Sequence, residues 1–278
     1  MNKTLLTSDG ARISYVDDGA GEVLILLHGW SQSAAMFRHQ IAEFSRTRRV
    51  IAPDFRGHGT SPDAAHGHRI YRFAADIAEL MAQERIDRAT MLGWSMGASV
   101  LWAYIDIHGT AAIDRCIFVD EPASVMRQPD MTDDDMTDAG ALFDAATMVT
   151  IAAQLAGPES HIAREAFLDG MITEGIASDL RRFLLDENCR PDARSIASLF
   201  VDHCSIDWRD LFPRVDRPVL VIAGRVSHVG VRSQEWICTQ LPNATLVVFE
   251  EHDGGAHFPF IEAPSVFNAV LADFLAPA

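Results

Sequence analysis

A serine between two glycines stands where a strand and a helix should meet. Residues 93–97 read Gly-Trp-Ser-Met-Gly; an apolar run that ends in this motif precedes Ser95, and a helix-forming run follows. A serine on such a sharp turn is held in a strained backbone, with its hydroxyl exposed above the sheet. The N–H groups that begin the helix favour negative charge developing there. The pattern indicates a nucleophile, or a hydroxyl that binds the substrate.

A histidine near the C-terminus is the candidate base. His257 follows the last strand-like run, and two glycines precede it closely in the segment 250–259. Glycines give the flexible backbone that a loop carrying a base needs. His252 in the same loop is the competitor, and its simpler interpretation is an exposed loop histidine. We favour His257.

The acid that would orient His257 is harder to identify. Residues 224–228, which follow the strand-like run 219–223, contain no carboxylate. Asp120 ends the preceding strand, and neighbouring strands lie only ~4.8 Å apart. Its neighbour Glu121 should point to the opposite side because side chains alternate along a strand, and there a salt bridge is its simpler role. We therefore expect Asp120 to be the acid and keep Glu121 as the alternative.

Further residues could bind an oxyanion or the substrate. The backbone N–H groups of Met96 and Trp30 are the expected donors to a developing oxyanion. Trp30 and Trp94 could wall a pocket with flat apolar surface, although core packing explains them equally well. His28 and Gly29, in the turn that follows a buried strand, complete this candidate set.

Alternating strands and helices must position these residues. The hydrophobic pattern predicts a hairpin over 3–6 and 12–16, followed by a mostly parallel sheet flanked by helices. From about 124 to 208 no buried strand is evident, and helix-like stretches are broken by Gly and Pro. We expect an α/β core over 1–123 and 209–278, with an inserted helical cap over 124–208.

Composition excludes several classes of function. The chain has 278 residues, 48% of them hydrophobic, and a formal net charge of −16. Nucleic acids and anionic membranes would repel this charge, so neither is expected as a partner. The expected partner is a small apolar or aromatic molecule bound at the candidate site. The four cysteines lack Cys-x-x-Cys spacing and predict buried thiols in a reducing compartment. Without a signal-like or membrane-spanning segment, the predicted location is the cytoplasm.

Metal and cofactor chemistry is not expected. His66 and His68 stand two residues apart, but no carboxylate or cysteine cluster accompanies them at ligand spacing. Asp54 and Arg56 should instead hold their glycine-rich loop through hydrogen bonds and an ion pair. Phosphate-binding and dinucleotide-binding glycine patterns are also missing from the sequence.

Several of these motifs together resemble the α/β-hydrolase superfamily. The matching residues are the turn 28–30, the loop 56–59 (Arg-Gly-His-Gly), the Ser95 motif and His257. The resemblance covers the core at both ends and leaves the cap unmatched. It implies an α/β-hydrolase fold with the chain order nucleophile, acid, histidine, which the order of Ser95, Asp120 and His257 matches.

Within that superfamily the chain is similar to the cofactor-independent 3-hydroxy-4(1H)-quinolone 2,4-dioxygenases. The similarity lies in Asp120, the loop 56–62, Gly29-Trp30 and the segment 257–259. It implies that a His257–Asp120 dyad deprotonates the 3-hydroxyl of a 2-alkyl-3-hydroxy-4(1H)-quinolone. The anion then reacts with O2, and carbon monoxide leaves. Ser95 would bind the substrate, and no cofactor would take part.

Two other functions use the same residues. A serine hydrolase would attack a small apolar ester or lactone through a Ser95-His257-Asp120 triad. A receptor could use the fold as a binding pocket, but it has no need to keep all three residues. We place the dioxygenase first and the hydrolase second.

Overall fold

The computed structural model describes residues 2–276, which form one eight-stranded sheet. Its spatial order is β1-β2-β4-β3-β5-β6-β7-β8, with β1–β2 and β2–β4 antiparallel and the other pairs parallel. The strands are β1 (Asn2–Leu6), β2 (Arg12–Gly19), β3 (Val23–Leu27), β4 (Arg49–Pro53), β5 (Ala89–Trp94), β6 (Ile113–Val119), β7 (Val219–Gly224) and β8 (Ala244–Phe249). The predicted hairpin and mostly parallel α/β sheet are confirmed.

Helices cover both faces of the sheet, because its central strands are apolar on both sides. One face is covered by α2 (Ile70–Gln83), α3 (Met96–His108) and α9 (Val231–Gln240). The other is covered by α1 (Arg38–Phe44), α10 (Pro259–Glu262) and α11 (Pro264–Leu275). The carboxyl ends of the parallel strands, where the candidate residues lie, meet at one edge of this sheet.

Five helices stand between β6 and β7, where the sequence predicts a cap. They are α4 (Asp133–Ala139), α5 (Ala145–Ala156), α6 (Ser160–Asp169), α7 (Ser178–Cys189) and α8 (Ala193–Cys204). The acidic cluster at 133–135 begins α4, and Asp135 forms a capping box with Thr132. The division into 1–123, 124–208 and 209–278 stays a prediction.

All four cysteines are free thiols, and only some are buried. Cys116 and Cys204 are buried, Cys238 is half-buried, and Cys189 at the end of α7 is exposed. Burial raises the pKa of the Cys116 thiol to about 12. Between residues 2 and 276, each helix is too short or too polar to cross a membrane.

Candidate active site

Ser95 caps the N-terminus of α3 in a strained conformation. Its φ of 52° and ψ of −132° are rare for a residue with a side chain, and its N–H donates to the Val119 carbonyl at 2.9 Å. Gly97 permits this turn, because a Cβ there would lie 2.1 Å from the Leu27 carbonyl oxygen. The start of α3 is thereby pressed against the end of β3, and the Ser95 side chain stays partly exposed.

The structure brings His257 and Asp120 together. Nδ1 of His257 lies 2.7 Å from Oδ2 of Asp120, and both side chains are buried. Asp120 also accepts hydrogen bonds from the Gly224 N–H at 3.2 Å and from the Ser227 hydroxyl at 2.5 Å. These three donors hold the carboxylate in one orientation. Ser227 lies in the segment 224–228 that lacks a carboxylate.

The backbone of His257 is fixed from two sides. Its N–H donates to the Met171 carbonyl at 3.0 Å, and its carbonyl accepts from the Trp94 indole at 2.8 Å. Because Asp120 occupies Nδ1, Nε2 is the ring nitrogen left for chemistry. Nowhere in residues 2–276 does the Ser95 hydroxyl form a hydrogen bond, to His257 or to another group.

Two backbone N–H groups beside Ser95 are free to bind an oxyanion. Within the described part of the chain, neither Trp30 nor Met96 donates its backbone N–H to another atom. A Cβ on Gly29 would lie 3.2 Å from Cβ of Ser95. The turn that follows β3 therefore passes directly alongside the serine. These are the two donors that the sequence predicts.

His28 does not reach the pocket. It is fully buried, its Nε2 accepts from the Phe55 N–H at 3.0 Å, and its Nδ1 lies 2.8 Å from the Gly29 carbonyl. Burial lowers its pKa to about 4, so the ring is neutral. The ring of His28 thus joins the loops after β3 and β4, and its predicted part in substrate binding stays a prediction.

The competing candidates have other partners. The side chain of His252 is 81% exposed and lies 3.4 Å from its neighbour Asp253. Glu121 accepts from Ser99 at 2.7 Å and contacts Nε2 of His203, on α8, at 2.6 Å. Across residues 2–276, we find no cluster of three or more His, Cys, Asp or Glu able to hold a metal.

Two adjoining pockets open at Ser95. The first has a volume of about 30 Å³ and is lined by Trp94, His257, Gln32 and Asn188, among others. The second, of about 50 Å³, is mostly apolar. Trp30 lines both, and its indole donates to the Ile196 carbonyl at 3.0 Å. The side chains that line the second pocket without the first are Glu121, Pro122, Val125, Leu142, Phe143, Phe200, His203 and His228.

His228 is a site residue that sequence reasoning missed. Its ring centroid lies 4.5 Å from that of His257, in an edge-to-face arrangement. Burial, with a smaller contribution from His257, holds its pKa well below the ordinary value. A neutral imidazole thus stands beside the candidate base, in the loop after β7. The only sequence signal that could have pointed to His228 is its position in the segment 224–228, directly after β7.

Comparisons with known proteins agree with this architecture. A non-heme haloperoxidase from Rhodococcus erythropolis is 33% identical over 122 residues, which are 44% of this chain and 44% of that protein. A non-heme chloroperoxidase from Streptomyces lividans is 28% identical over 98% of this chain and 99% of its own length. The solved esterase RhEst1 from Rhodococcus sp. ECU1013 is 26% identical, with a TM-score of 0.80 over 98% of both chains.

These relatives support the superfamily, but they do not support the more specific resemblance to quinolone dioxygenases. The family model described as "alpha/beta hydrolase fold" matches residues 22–162, which is more than half of the chain. The chain therefore belongs to the α/β-hydrolase fold family.

Proposed function

We propose that this protein is a serine hydrolase that cleaves carboxylic esters or lactones through Ser95, His257 and Asp120. The observation that carries the proposal is the arrangement around one strained serine. The His257–Asp120 pair at 2.7 Å and two free backbone N–H groups lie at the same end of the sheet. Each component of acyl transfer therefore has a candidate.

In acylation, His257 takes the proton of the Ser95 hydroxyl at Nε2 while the serine oxygen bonds to the substrate carbonyl carbon. Negative charge moves to the carbonyl oxygen, where the N–H groups of Trp30 and Met96 stabilise it. Asp120 keeps the Nδ1 proton in place and stabilises the imidazolium. The tetrahedral intermediate collapses as the C–O bond breaks, and His257 returns its proton to the leaving oxygen.

In deacylation, His257 removes a proton from water, and the resulting hydroxide attacks the acyl carbon. The Ser95 ester bond breaks, and the serine oxygen recovers its proton from His257. The small volume of both pockets favours small substrates. The name of the esterase RhEst1 agrees with this reaction class.

The first experiment combines covalent labelling with ester turnover. The purified protein is treated with a fluorophosphonate and assayed with p-nitrophenyl butyrate. We expect stoichiometric labelling of Ser95 and steady hydrolysis. Ser95→Ala should lose the label and at least about 10⁴-fold in kcat, because it removes the only nucleophile. An unlabelled, inactive wild-type protein would refute the hydrolase.

The ring-cleaving dioxygenase is a second candidate, favoured by one observation. His257 is hydrogen-bonded to Asp120, but in the described chain no hydrogen bond joins it to Ser95. A His257–Asp120 dyad that deprotonates a substrate hydroxyl needs the hydrogen bond to Asp120 but none to Ser95. O2 uptake and carbon monoxide release with a 2-alkyl-3-hydroxy-4(1H)-quinolone test it. In that mechanism Ser95→Ala retains a large fraction of turnover and His257→Ala abolishes it.

A further inference from the structure

The second pocket contains a carboxylate with one free oxygen. Glu121 is 2% exposed and lines this pocket together with Ser95. Its Oε1 atom accepts from the Ser99 hydroxyl at 2.7 Å and contacts Nε2 of His203 at 2.6 Å. Its Oε2 atom has no hydrogen-bond partner within residues 2–276 but, unlike the unpaired atoms buried elsewhere in that part of the chain, it keeps accessible surface. Oε2 is therefore the acceptor that Glu121 can offer to a ligand in the pocket.

Neighbouring groups hold this carboxylate in one orientation. Ser99 lies on α3 and His203 on α8, so both contacts to Oε1 come from helices. The backbone carbonyl of Glu121 also accepts from Nε2 of Gln234 at 2.9 Å. An acceptor that is held in advance loses little conformational freedom when a donor binds to it. A carboxylate also forms a stronger hydrogen bond than a neutral acceptor does.

The remaining walls of the second pocket indicate the rest of the ligand. Four aromatic rings line it: those of Trp30 and Phe167, with centroids 6.1 Å apart, and those of Phe143 and Phe200, with centroids 5.8 Å apart. His228 adds a neutral ring, because burial holds its pKa well below the ordinary value. A mainly apolar group with few polar atoms fits these walls.

The position of His257 indicates which half of a substrate enters this pocket. Ser95 lines both pockets, so the bond that is cleaved lies between them. In the proposed hydrolysis His257 gives its proton to the leaving alcohol, which must therefore lie beside it. His257 lines the first pocket and not the second. The alcohol half thus occupies the first pocket, and the acyl half enters the second, where Glu121 lies.

We infer that the preferred substrates are esters or lactones whose acyl half is apolar and carries a hydroxyl group that donates to Oε2 of Glu121. This inference rests on the proposed hydrolase activity and narrows it to hydroxyacyl substrates. A hydroxyl brings one donor to this one oxygen, whereas an ammonium group would bring three N–H donors into a pocket with mainly apolar walls. An unsubstituted acyl chain would remove water from the carboxylate oxygen without replacing its hydrogen bond.

The test compares acyl halves that differ in one hydrogen-bond donor. The wild-type protein is assayed with ethyl esters of butyric acid that carry a hydroxyl or a methoxy group, at carbon 2 or at carbon 3. A methoxy oxygen can accept a hydrogen bond but cannot donate one. At one of the two positions we expect kcat/KM to be at least about 10-fold higher for the hydroxy ester. Ratios near 1 at both positions would overturn the inference.

The variant Glu121→Gln tests the free oxygen itself. Because Ser99 donates to Oε1, the amide oxygen should take that position and place the NH2 group at the position of Oε2. A donor then stands where an acceptor stood, so the ratio of kcat/KM between hydroxy and methoxy esters should fall by about 5-fold or more. This ratio does not depend on the fraction of protein that is folded. An unchanged ratio would contradict the role of Glu121.

Glu187→Gln is the matched control. Glu187 is also a buried carboxylate and accepts from the Ser33 hydroxyl at 2.5 Å, but it lines neither pocket. This variant should keep the wild-type ratio between hydroxy and methoxy esters. A fall as large as that of Glu121→Gln would show that the preference does not depend on the oxygen in the pocket, and it would overturn the inference.

The outcomes separate the two proposals. If fluorophosphonate labels Ser95 and p-nitrophenyl butyrate is hydrolysed, equal kcat/KM values for hydroxy and methoxy esters refute the hydroxyacyl preference and leave the serine hydrolase standing. If Ser95 is not labelled and none of the esters is hydrolysed, the hydrolase is refuted and the inference with it.

Discussion

Asp120 holds the ring of His257, the candidate base, through a buried hydrogen bond. Its carboxylate accepts from the His257 ring, the Ser227 hydroxyl and the Gly224 N–H, and it is fully buried. A φ of 52° turns its backbone out of the β6 direction. Such a conformation in a residue with a Cβ persists only where its surroundings fix it.

Replacing Asp120 by Asn should lower kcat for p-nitrophenyl butyrate by about 10⁴-fold, with little change in KM. The amide favours the wrong histidine tautomer and leaves the imidazolium unstabilised. Ser227→Ala is a milder variant for comparison. It removes one hydrogen-bond donor to the Asp120 carboxylate and leaves the carboxylate in place, so we expect kcat to fall by about 10-fold or less. An Asp120→Asn variant with more than a tenth of wild-type activity would show that another group is the acid.

The sequence could propose Ser95, His257 and Asp120 as candidates because each has a local signal. A glycine-flanked turn, a loop after the last strand and a carboxylate at a strand end are all readable from neighbouring residues. Gln32, Asn188 and His203 carry no such signal. Their roles depend on how cap helices pack on distant loops, which hydrophobic spacing does not encode.

A buried contact between two side chains joins helix α8 to the end of strand β6. Glu121 follows β6, His203 lies on α8, and their side chains meet at 2.6 Å with both largely excluded from solvent. Ser99 of α3 donates to the same carboxylate oxygen. One carboxylate thus connects the end of a strand, a core helix and a cap helix.

The variant Glu121→Ala should destabilise the protein by about 3 kcal/mol, because the Ser99 hydroxyl and the His203 ring lose their shared acceptor and stay buried without it. Urea unfolding of both proteins measures this difference. Glu43→Ala removes the exposed Glu43–Arg46 pair and should cost about 0.5 kcal/mol or less. Equal effects of the two substitutions would contradict the role given to Glu121.

Strands were easier to predict than cap helices. The continuous apolar runs of β3 and β7 are typical of strands buried on both faces, and they appear as expected. The stretch 136–155 reads as one helical segment, but Gly140 adopts a left-handed conformation and ends α4. Helix α7 has no clear apolar stripe, since charged residues occupy much of its length.

Buried neutral histidines limit the stability of the folded protein in acid. His28 and His58 lie with ring centroids 5.3 Å apart between the loops after β3 and β4. Burial lowers their pKa values to about 4 and about 3. The unfolded chain binds protons at both sites once the pH falls below about 6.5, so each histidine then reduces folding stability.

His58→Phe should make unfolding less sensitive to acid. Between pH 7 and pH 5 the wild-type protein loses about 2 kcal/mol at His58, because its folded pKa lies below its unfolded pKa. Over the same pH interval, the variant should lose about 2 kcal/mol less folding stability than the wild-type protein, whatever its stability at pH 7. Urea unfolding of both proteins at pH 7 and at pH 5 measures these losses. His252→Phe, at an exposed site, is the control and should keep the wild-type difference.

The bond from the His257 N–H to the Met171 carbonyl has a consequence for when the molecule can react. Met171 lies between cap helices α6 and α7, so any displacement of this segment from the core breaks a support of the base. The position of His257 therefore depends on residues outside the sheet as well as on Asp120. A substitution that loosens the packing of residues 170–177 would displace the histidine without touching its side chain.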